Sequence, residues 1–366
     1  MLEQFKSQHE QLLIEIAGMI ETSNLTKNTD RQQLYATISE LVEVLNDEAS
    51  EQVPYAMAVE YFRAYDHAAE LLGQRGTSFN SDGTFSSNTM RQVHIEALEA
   101  ILDDTMMDLR AAYRTFEQNA VGSIDTAIKE VEREDGLLVA AASTAAIAAL
   151  IVGNRVTKSK KRAKRYFRKN GLNSFVTSDG KKLPLDFYTA TVIETKLSQV
   201  SVNGHVQRYK DVGADLVKVQ ARPGTCEHCA AHDGMVYSLS GNHSNYPKMT
   251  DDQKPPYHPN CRCGILPVIE EYLTPLEKKI IDERIAKGVD FDPRTDAERE
   301  LYEREQRINR RNNAEKKLFM KMKAELGPDA PTSLSAFRRM KRANTSTYQD
   351  LYSRYLSATH SKNRND

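Results

Sequence analysis

The sequence predicts a mostly α-helical protein with a small α+β domain in its middle, between extended helical N- and C-terminal arms. Charged residues make up 28% of the chain, and apolar residues recur at three- and four-residue steps over long stretches. Both features are typical of amphipathic helices with solvated faces. Glycine, proline and short β-type runs are concentrated between residues 171 and 270. The predicted domains are a helical bundle (1–120), an apolar helix with a basic stretch (121–170), the α+β domain (171–270) and a C-terminal helical arm (271–366).

The N-terminal arm is predicted to be a helical bundle. Apolar residues between positions 2 and 20 line one face of a first helix, and Asp30 caps a second. Pro54 lies just inside a third, where its missing amide proton costs little. Residues 73–88 are rich in Gly, Ser and Asn and predict a loop, after which Thr89 opens a long helix. The first residues lack the basic-then-apolar order of a secretion signal, so we expect no signal peptide.

Residues 137–152 are apolar on every side of a predicted helix, apart from Ser143 and Thr144. At about 1.5 Å per residue this helix reaches roughly 24 Å, which is shorter than a bilayer core of about 30 Å. We interpret it as a helix buried on all sides in a bundle or an assembly. The alternative is a segment that inserts weakly into a membrane, with the following basic run at the lipid headgroups.

That basic run, residues 155–169, contains nine cations and no acid. Lysine and arginine at this density release counterions from phosphate backbones, which favours non-specific contact with double-stranded DNA. The alternatives are an acidic partner surface or an ordinary solvated helix face. The candidate nucleic-acid-binding residues are Lys158, Lys160, Lys161, Arg162, Lys164, Arg165, Arg168 and Lys169.

The central domain combines strand and helix patterns. An Asp-Gly pair at 179–180 predicts a small hairpin, and the apolar spacing of 187–210 predicts a helix. Short β-type runs follow at 216–219, at 235–239 and, after a long loop, at 264–268. We therefore expect helices packed on a small sheet.

All four cysteines of the chain lie in this domain, at Cys226, Cys229, Cys261 and Cys263, together with His258. They form two short chelating pairs, CxxC and HxxC, separated by roughly 30 residues, a spacing typical of zinc sites. Thiolate and imidazole suit zinc, and four such groups close a structural tetrahedral site. The alternatives are two disulfides or free buried thiols. Without a secretion signal, a reducing compartment and a metal site are favoured.

The stretch offers five candidate ligands for four positions. Cys226 and Cys229 are the strongest, Cys261 follows, and His258 and Cys263 compete for the last place. A bound zinc would fix loops that a domain of this size could not otherwise hold. The other three histidines of the stretch are expected to be exposed loop residues: His228, His232 and His243.

The same stretch contains a more specific pattern. A CxxC is followed by an Asp-Gly pair at 233–234 and by His-Pro-Asn-Cys-Arg-Cys at 258–263. This pattern resembles the Mu F-like family of phage head morphogenesis, or minor capsid, proteins, over residues 185–270. The resemblance implies a structural virion protein near the portal inside the head, present in the host cytoplasm during assembly. Its implied partners are the portal protein and capsid components.

Two other classes of function remain open on the sequence alone. One is an ejected membrane-active or DNA-binding virion protein, which uses residues 137–169. The other is a zinc-dependent nuclease or other hydrolase. His94-x-Glu96 matches part of a deaminase signature, but it lies far before the cysteines, and Pro223 is not adjacent to Cys226. A catalytic zinc also leaves one coordination position open, whereas five candidates surround this one. We therefore expect no enzyme.

Overall fold

The computed structural model describes residues 2–141, 155–167, 173–176, 182–326 and 329–360. It confirms a mostly helical chain with a small sheet. The described chain forms two compact units. We call them the sheet unit, which contains residues 48–109 and 189–306, and the helical unit, which contains 2–47, 110–188 and 307–366.

Four helices fill the N-terminal half of the described chain: α1 (Leu2–Thr22), α2 (Asn28–Leu71), α3 (Gln92–Ala141) and α4 (Arg155–Tyr166). The predicted loop at 73–88 is confirmed between α2 and α3. The predicted third helix is wrong, because Pro54 lies inside α2 and the helix continues through it. An interior proline costs about 3 kcal/mol. Burial of its neighbours Val53 and Met57 offsets that cost.

The sheet unit is built on three antiparallel strands in the order β4–β3–β5. The predicted helix and the three predicted strands are confirmed. In chain order the elements are α5 (Leu185–Asp211), β3 (Leu216–Gln220), α6 (Glu227–His232), β4 (Val236–Ser238), β5 (Gly264–Val268) and α7 (Pro275–Lys287).

Alternate residues of β3 enter two apolar clusters. Val217 and Val219 pack with Val202 and Tyr209 of α5. Leu216 packs with Ile281 of α7 in the other cluster. The sequence placed α7 in the C-terminal arm beyond residue 270. Its buried Ile281 contributes to the packing that supports the sheet.

The helical unit ends in three packed helices: α8 (Asp296–Leu326), whose residues from 307 belong to this unit, α9 (Leu334–Arg342) and α10 (Ser346–His360). Phe319 and Met322 of α8 are buried with Phe337 of α9 and Leu351 of α10. The predicted C-terminal helical arm is not one continuous helix between α9 and α10. It is divided because Asn344 adopts a left-handed backbone with φ of 47°, a conformation that asparagine tolerates.

The predicted hairpin is present as antiparallel strands β1 (Asn173–Val176) and β2 (Lys182–Pro184). Its Asp-Gly turn at 179–180 lies outside the described residues. Residues 142–152 of the predicted apolar helix also lie outside the described residues. Among the described residues, no helix combines the length and the apolar character needed to span a membrane.

Candidate metal centre

The first half of the cysteine cluster is a turn at the start of α6. Cys226 is the N-cap residue, and its Sγ accepts a hydrogen bond from the Cys229 backbone N–H at 3.4 Å. After α6, Gly234 at φ 74° returns the chain to β4, and its N–H donates to the Val219 carbonyl at 3.0 Å. The Asp233 carboxylate accepts from the Ala221 N–H at 2.7 Å. These bonds hold the CxxC turn against the end of β3.

The second half is a tight turn that leads into β5. The Cys261 N–H donates to the His258 carbonyl at 3.0 Å, and Asn260 adopts φ of 64°. β5 then begins at Gly264, which is paired in register with Gln220 at the end of β3. The antiparallel register therefore brings two turns that are distant in sequence to the same end of the sheet.

The five predicted ligands converge at this end of the sheet. His258 Nε2 lies 3.1 Å from the sulfurs of Cys226 and Cys229. The Cys229 and Cys261 sulfurs are 3.6 Å apart. That separation is close to the roughly 3.8 Å that two sulfurs take around a tetrahedral zinc. Two groups of three, each with donor atoms within 4.8 Å of one another, share Cys229. All four cysteines are free thiols, which disagrees with the disulfide alternative.

The hydrogen bonding of His258 determines which ring nitrogen can bind a metal. Its Nδ1 lies 2.8 Å from the Pro259 carbonyl oxygen. A carbonyl only accepts, so Nδ1 carries the proton. Nε2 then presents its lone pair toward Cys226 and Cys229, as a metal-ligating imidazole does.

The cluster is shielded from water, and its thiols are linked by hydrogen bonds. Cys229, Cys261 and Cys263 are buried, and Cys226 is half-buried. Hydrogen bonds from Cys229 and Cys263 lower the pKa of Cys261, and the bond to Cys261 raises the pKa of Cys229. A soft divalent metal would displace the remaining protons and bind thiolates. The arrangement can therefore hold a metal ion.

The three other histidines occupy different environments. His232, expected to be exposed, is buried, because it ends α6 under the ring of Tyr257, stacked at 4.0 Å between centroids. Burial lowers the pKa of His232. His228 is exposed on α6 rather than in a loop, and the loop residue His243 is half-buried, 3.3 Å from a Glu270 carboxylate oxygen. In the described chain these three lie outside both metal-binding groups.

Two arginines that support the site were not identified from the sequence. Arg284 of α7 donates from Nε to the Asp233 carbonyl at 2.9 Å, and from Nη2 to the Ala231 carbonyl. It thereby satisfies backbone carbonyls at the C-terminal end of α6. Arg294 donates to the Thr225 carbonyl at 3.2 Å, just before Cys226. Their local sequences resemble those of solvent-facing cations, so no pattern distinguished them.

Comparison with known proteins identifies the family. A sequence model of the family described as phage minor capsid protein 2 matches residues 19–349. The chain belongs to this family. The resemblance to phage minor capsid proteins is thereby confirmed, and the match extends far beyond residues 185–270. No curated protein and no solved structure matches the chain significantly. Membership implies a structural role in the phage capsid, a place in the virion and capsid components as partners.

The predicted DNA-contact residues of this minor capsid protein lie mostly on α4. Lys158 Nζ is 2.9 Å from the carboxylate of Asp135, whose side chain is 3% exposed. Arg162 pairs with Glu134 at 2.7 Å. The basic run thus contacts the acidic end of α3. Lys160 and Lys161 make no ion pair with a described residue. For Lys164 and Arg165 the side chains lie outside the described part of the structure. Arg168 and Lys169 lie outside it entirely.

His94, which matched part of a deaminase signature, is a core residue of the sheet unit. It is 2% exposed and packs against the rings of Tyr61, Phe62 and Tyr65. Its Nδ1 lies 3.1 Å from the Tyr61 hydroxyl. Burial lowers its pKa. Its contacts are those of a packed aromatic cluster, and it belongs to neither metal-binding group.

Proposed function

We propose that this minor capsid protein is a structural component of the portal vertex inside the phage head, and that its cysteine cluster holds one structural zinc ion. The observation that carries the zinc proposal is the convergence of five donor side chains from two turns at one end of the sheet. The family supports the capsid role. Zinc would hold together the two turns, 221–229 and 258–263, which contain few apolar residues of their own.

The donor set favours zinc in a structural role. Cysteine thiolates with one imidazole select zinc over hard cations such as magnesium and calcium. Cys226, Cys229 and Cys261 together with either His258 or Cys263 supply four donors. A site closed by four protein ligands has no position for a reactive water. We therefore propose no catalytic activity for this centre.

Metal analysis tests the zinc proposal. Protein purified under reducing conditions should contain about one zinc per chain by elemental mass spectrometry, as a four-ligand site requires. The double variant Cys226→Ser with Cys229→Ser should lose it. His228→Ala is the matched control, because this histidine is exposed on the same helix and lies outside both groups. Absence of zinc from the wild type, or retention by the double variant, contradicts the proposal.

Co-purification tests the position at the portal. Particles disrupted by gentle detergent and salt should release this chain in a complex with the portal ring. DNA-free heads should retain it, because protein contacts hold it in place. Release with the DNA, or co-sedimentation with the major capsid shell alone, would contradict a portal position.

Contact between α4 and packaged DNA is part of the same proposal. Lys160 and Lys161 support it, since neither makes an ion pair with a described residue. Lys158 and Arg162 support it less, because they pair with acids of α3. Steeply salt-dependent duplex binding that is lost in the Lys160→Ala, Lys161→Ala double variant would support this contact. Unchanged binding would contradict it.

A further inference from the structure

The helical unit carries a second cationic surface, on α8. Residues 307–323 contain seven cations and a single acid, Glu315. Arg310, Lys317 and Lys321 follow one another at seven- and four-residue steps, which places them on one side of the helix. All three are exposed. We call these three residues the α8 stripe.

The opposite side of α8 faces the protein. Phe319 and Met322 are buried in the cluster with α9 and α10. Glu315 points toward α9, where its carboxylate lies 3.3 Å from Arg338 Nε and 3.2 Å from Lys341 Nζ. The single acid of this section is thus neutralised by α9, and its charge does not offset the α8 stripe.

The cations of the α8 stripe are available to a ligand. Within the described part of the chain, Arg310, Lys317 and Lys321 make no ion pair, and neither does their exposed neighbour Arg311. This distinguishes them from Lys158 and Arg162 of α4, whose charges are already paired. Binding an anion at the α8 stripe therefore breaks no internal ion pair.

We infer that the α8 stripe binds the phosphate backbone of double-stranded nucleic acid without reading its sequence. Arg310 and Lys321 are about 17 Å apart along the helix axis. Duplex DNA presents about one negative charge per 1.7 Å, so a straight row of cations meets several phosphates at once. The inference deepens the DNA contact proposed above by naming a different surface. It does not depend on the zinc or the portal.

The neighbours of the α8 stripe favour a nucleic acid over an acidic protein. The exposed residues between its cations include Asn313 and Ala314. Protein interfaces draw most of their affinity from large apolar or aromatic anchors at the centre of the contact. Asparagine and alanine supply no such anchor. A phosphate backbone needs only the cations.

A binding experiment on the full chain tests the inference. The probe is a fluorescent 30-base-pair duplex of arbitrary sequence, titrated by anisotropy at several salt concentrations. The triple variant Arg310→Ala, Lys317→Ala, Lys321→Ala should bind at least about tenfold more weakly near 100 mM salt. The slope of log K against log salt should become shallower by about 2.7, as expected for three lost phosphate contacts.

Matched variants separate this surface from others. Arg63→Ala, Arg75→Ala, Lys210→Ala removes the same charge from exposed positions of the sheet unit and should bind like the wild type. Lys160→Ala, Lys161→Ala tests α4. Lys317→Glu, which reverses one charge at an exposed position, should weaken binding more than Lys317→Ala and provides a second measurement. Equal far-ultraviolet circular dichroism spectra establish that each variant is folded.

Three results would overturn the inference. The first is wild-type affinity in the triple variant. The second is loss of binding in the α4 variant alone, which would assign the contact to α4 and leave the proposed function intact. The third is that the wild-type protein does not bind the duplex but binds polyglutamate, which would indicate an acidic protein partner.

Discussion

Five donor side chains converge at the proposed zinc site, which has four coordination positions, so we expect one of them to have a different role. The proton on His258 Nδ1 leaves Nε2 directed at two sulfurs, 3.1 Å from each. This arrangement favours His258 over Cys263 as the fourth ligand. We therefore expect Cys263, which shares a group of possible metal ligands with Cys229 and Cys261, to pack beside the ion rather than bind it.

Single substitutions distinguish the two candidates. His258→Ala should weaken zinc binding by at least about tenfold, the effect seen even when outer-shell partners of a ligand are removed. Cys263→Ser should retain close to one zinc per chain. Cobalt substitution gives an independent count, because the sulfur-to-cobalt absorption intensity rises with each bound thiolate. Loss of one thiolate in Cys263→Ser with an unchanged spectrum in His258→Ala would reverse the assignment.

We expect His9 to make the stability of the chain depend on pH. It is 1% exposed in α1, against the ring of Tyr113, and burial lowers its pKa to about 4. Between pH 6.5 and 4 the unfolded chain binds a proton here and the folded chain does not. The contribution of neutral His9 is therefore complete above pH 6.5 and is lost as the pH falls toward 4, by about 3 kcal/mol in total.

His9→Phe removes that proton uptake and should flatten the fall in stability over this pH range. Denaturant unfolding at pH 7, 6, 5 and 4 measures it, and the difference between wild type and variant isolates His9 from other groups. If the free energy of unfolding falls with pH equally in the two proteins, the prediction is contradicted.

At the scale of elements, α2 and α5 of the sheet unit approach closely at Gly204. A β-carbon at this position would overlap the Tyr61 carbonyl oxygen and lie 3.2 Å from the Ala64 β-carbon. Gly204→Ala should destabilise the protein by about 1–3 kcal/mol, because a backbone must move. Thermal unfolding measures the change.

Gly122 of α3 provides the matched control, since a β-carbon there meets nothing within 4 Å. Gly122→Ala should stabilise the protein by up to about 1 kcal/mol through helix propensity. Equal effects of the two substitutions would show that close packing at Gly204 is unimportant.

The ion pair between α4 and α3 also has a measurable effect. Lys158→Ala leaves the buried Asp135 carboxylate without its cation. We expect a loss of about 1–3 kcal/mol, less than for a fully buried pair, because the Lys158 side chain is 42% exposed. Lys161→Ala, at an exposed position on the same helix, should change stability by less than about 0.5 kcal/mol. Melting temperatures that fall equally would contradict this role for Asp135.

Sequence periodicity predicted most elements but missed effects that depend on tertiary contacts. The bounds of α5, β3 and β5 follow from local apolar spacing and end signals, and they were predicted within a few residues. Pro54 was misassigned because burial of its neighbours compensates for a locally unfavourable residue. His232 was misassigned because Tyr257, distant in sequence, covers it. The cysteine spacing identified the side chains that converge and could hold a metal ion, but not the arginines that hold the surrounding backbone.

At the scale of the molecule, each compact unit combines segments that are far apart in sequence. The sheet unit joins residues 48–109 to 189–306, for example. Composition and periodicity describe contiguous stretches of sequence, and from them we expected four consecutive domains. That division remains a prediction. The family match spans both units.

Metal removal should affect the two units differently, because the candidate ligands all belong to the sheet unit. After treatment with a strong chelator, amides of β3, β5 and the turn at 258–263 should exchange much faster with deuterium. Amides around Phe319 and Phe337, buried in their own cluster, should keep their protection. Hydrogen-exchange mass spectrometry measures both at once. Uniform loss of protection, or none, would contradict a structural metal confined to the sheet unit.

The hydrogen bonds that Arg284 donates to α6 have a practical consequence for producing the cysteine-rich region as a fragment. A fragment cut at residue 270, as motif boundaries suggest, would lack this guanidinium and would leave carbonyls at the end of α6 without their donor. It would also expose the apolar surface that Ile281 covers. A shorter recombinant product able to fold unaided must therefore contain residues 48–109 on the same polypeptide and extend through Arg294.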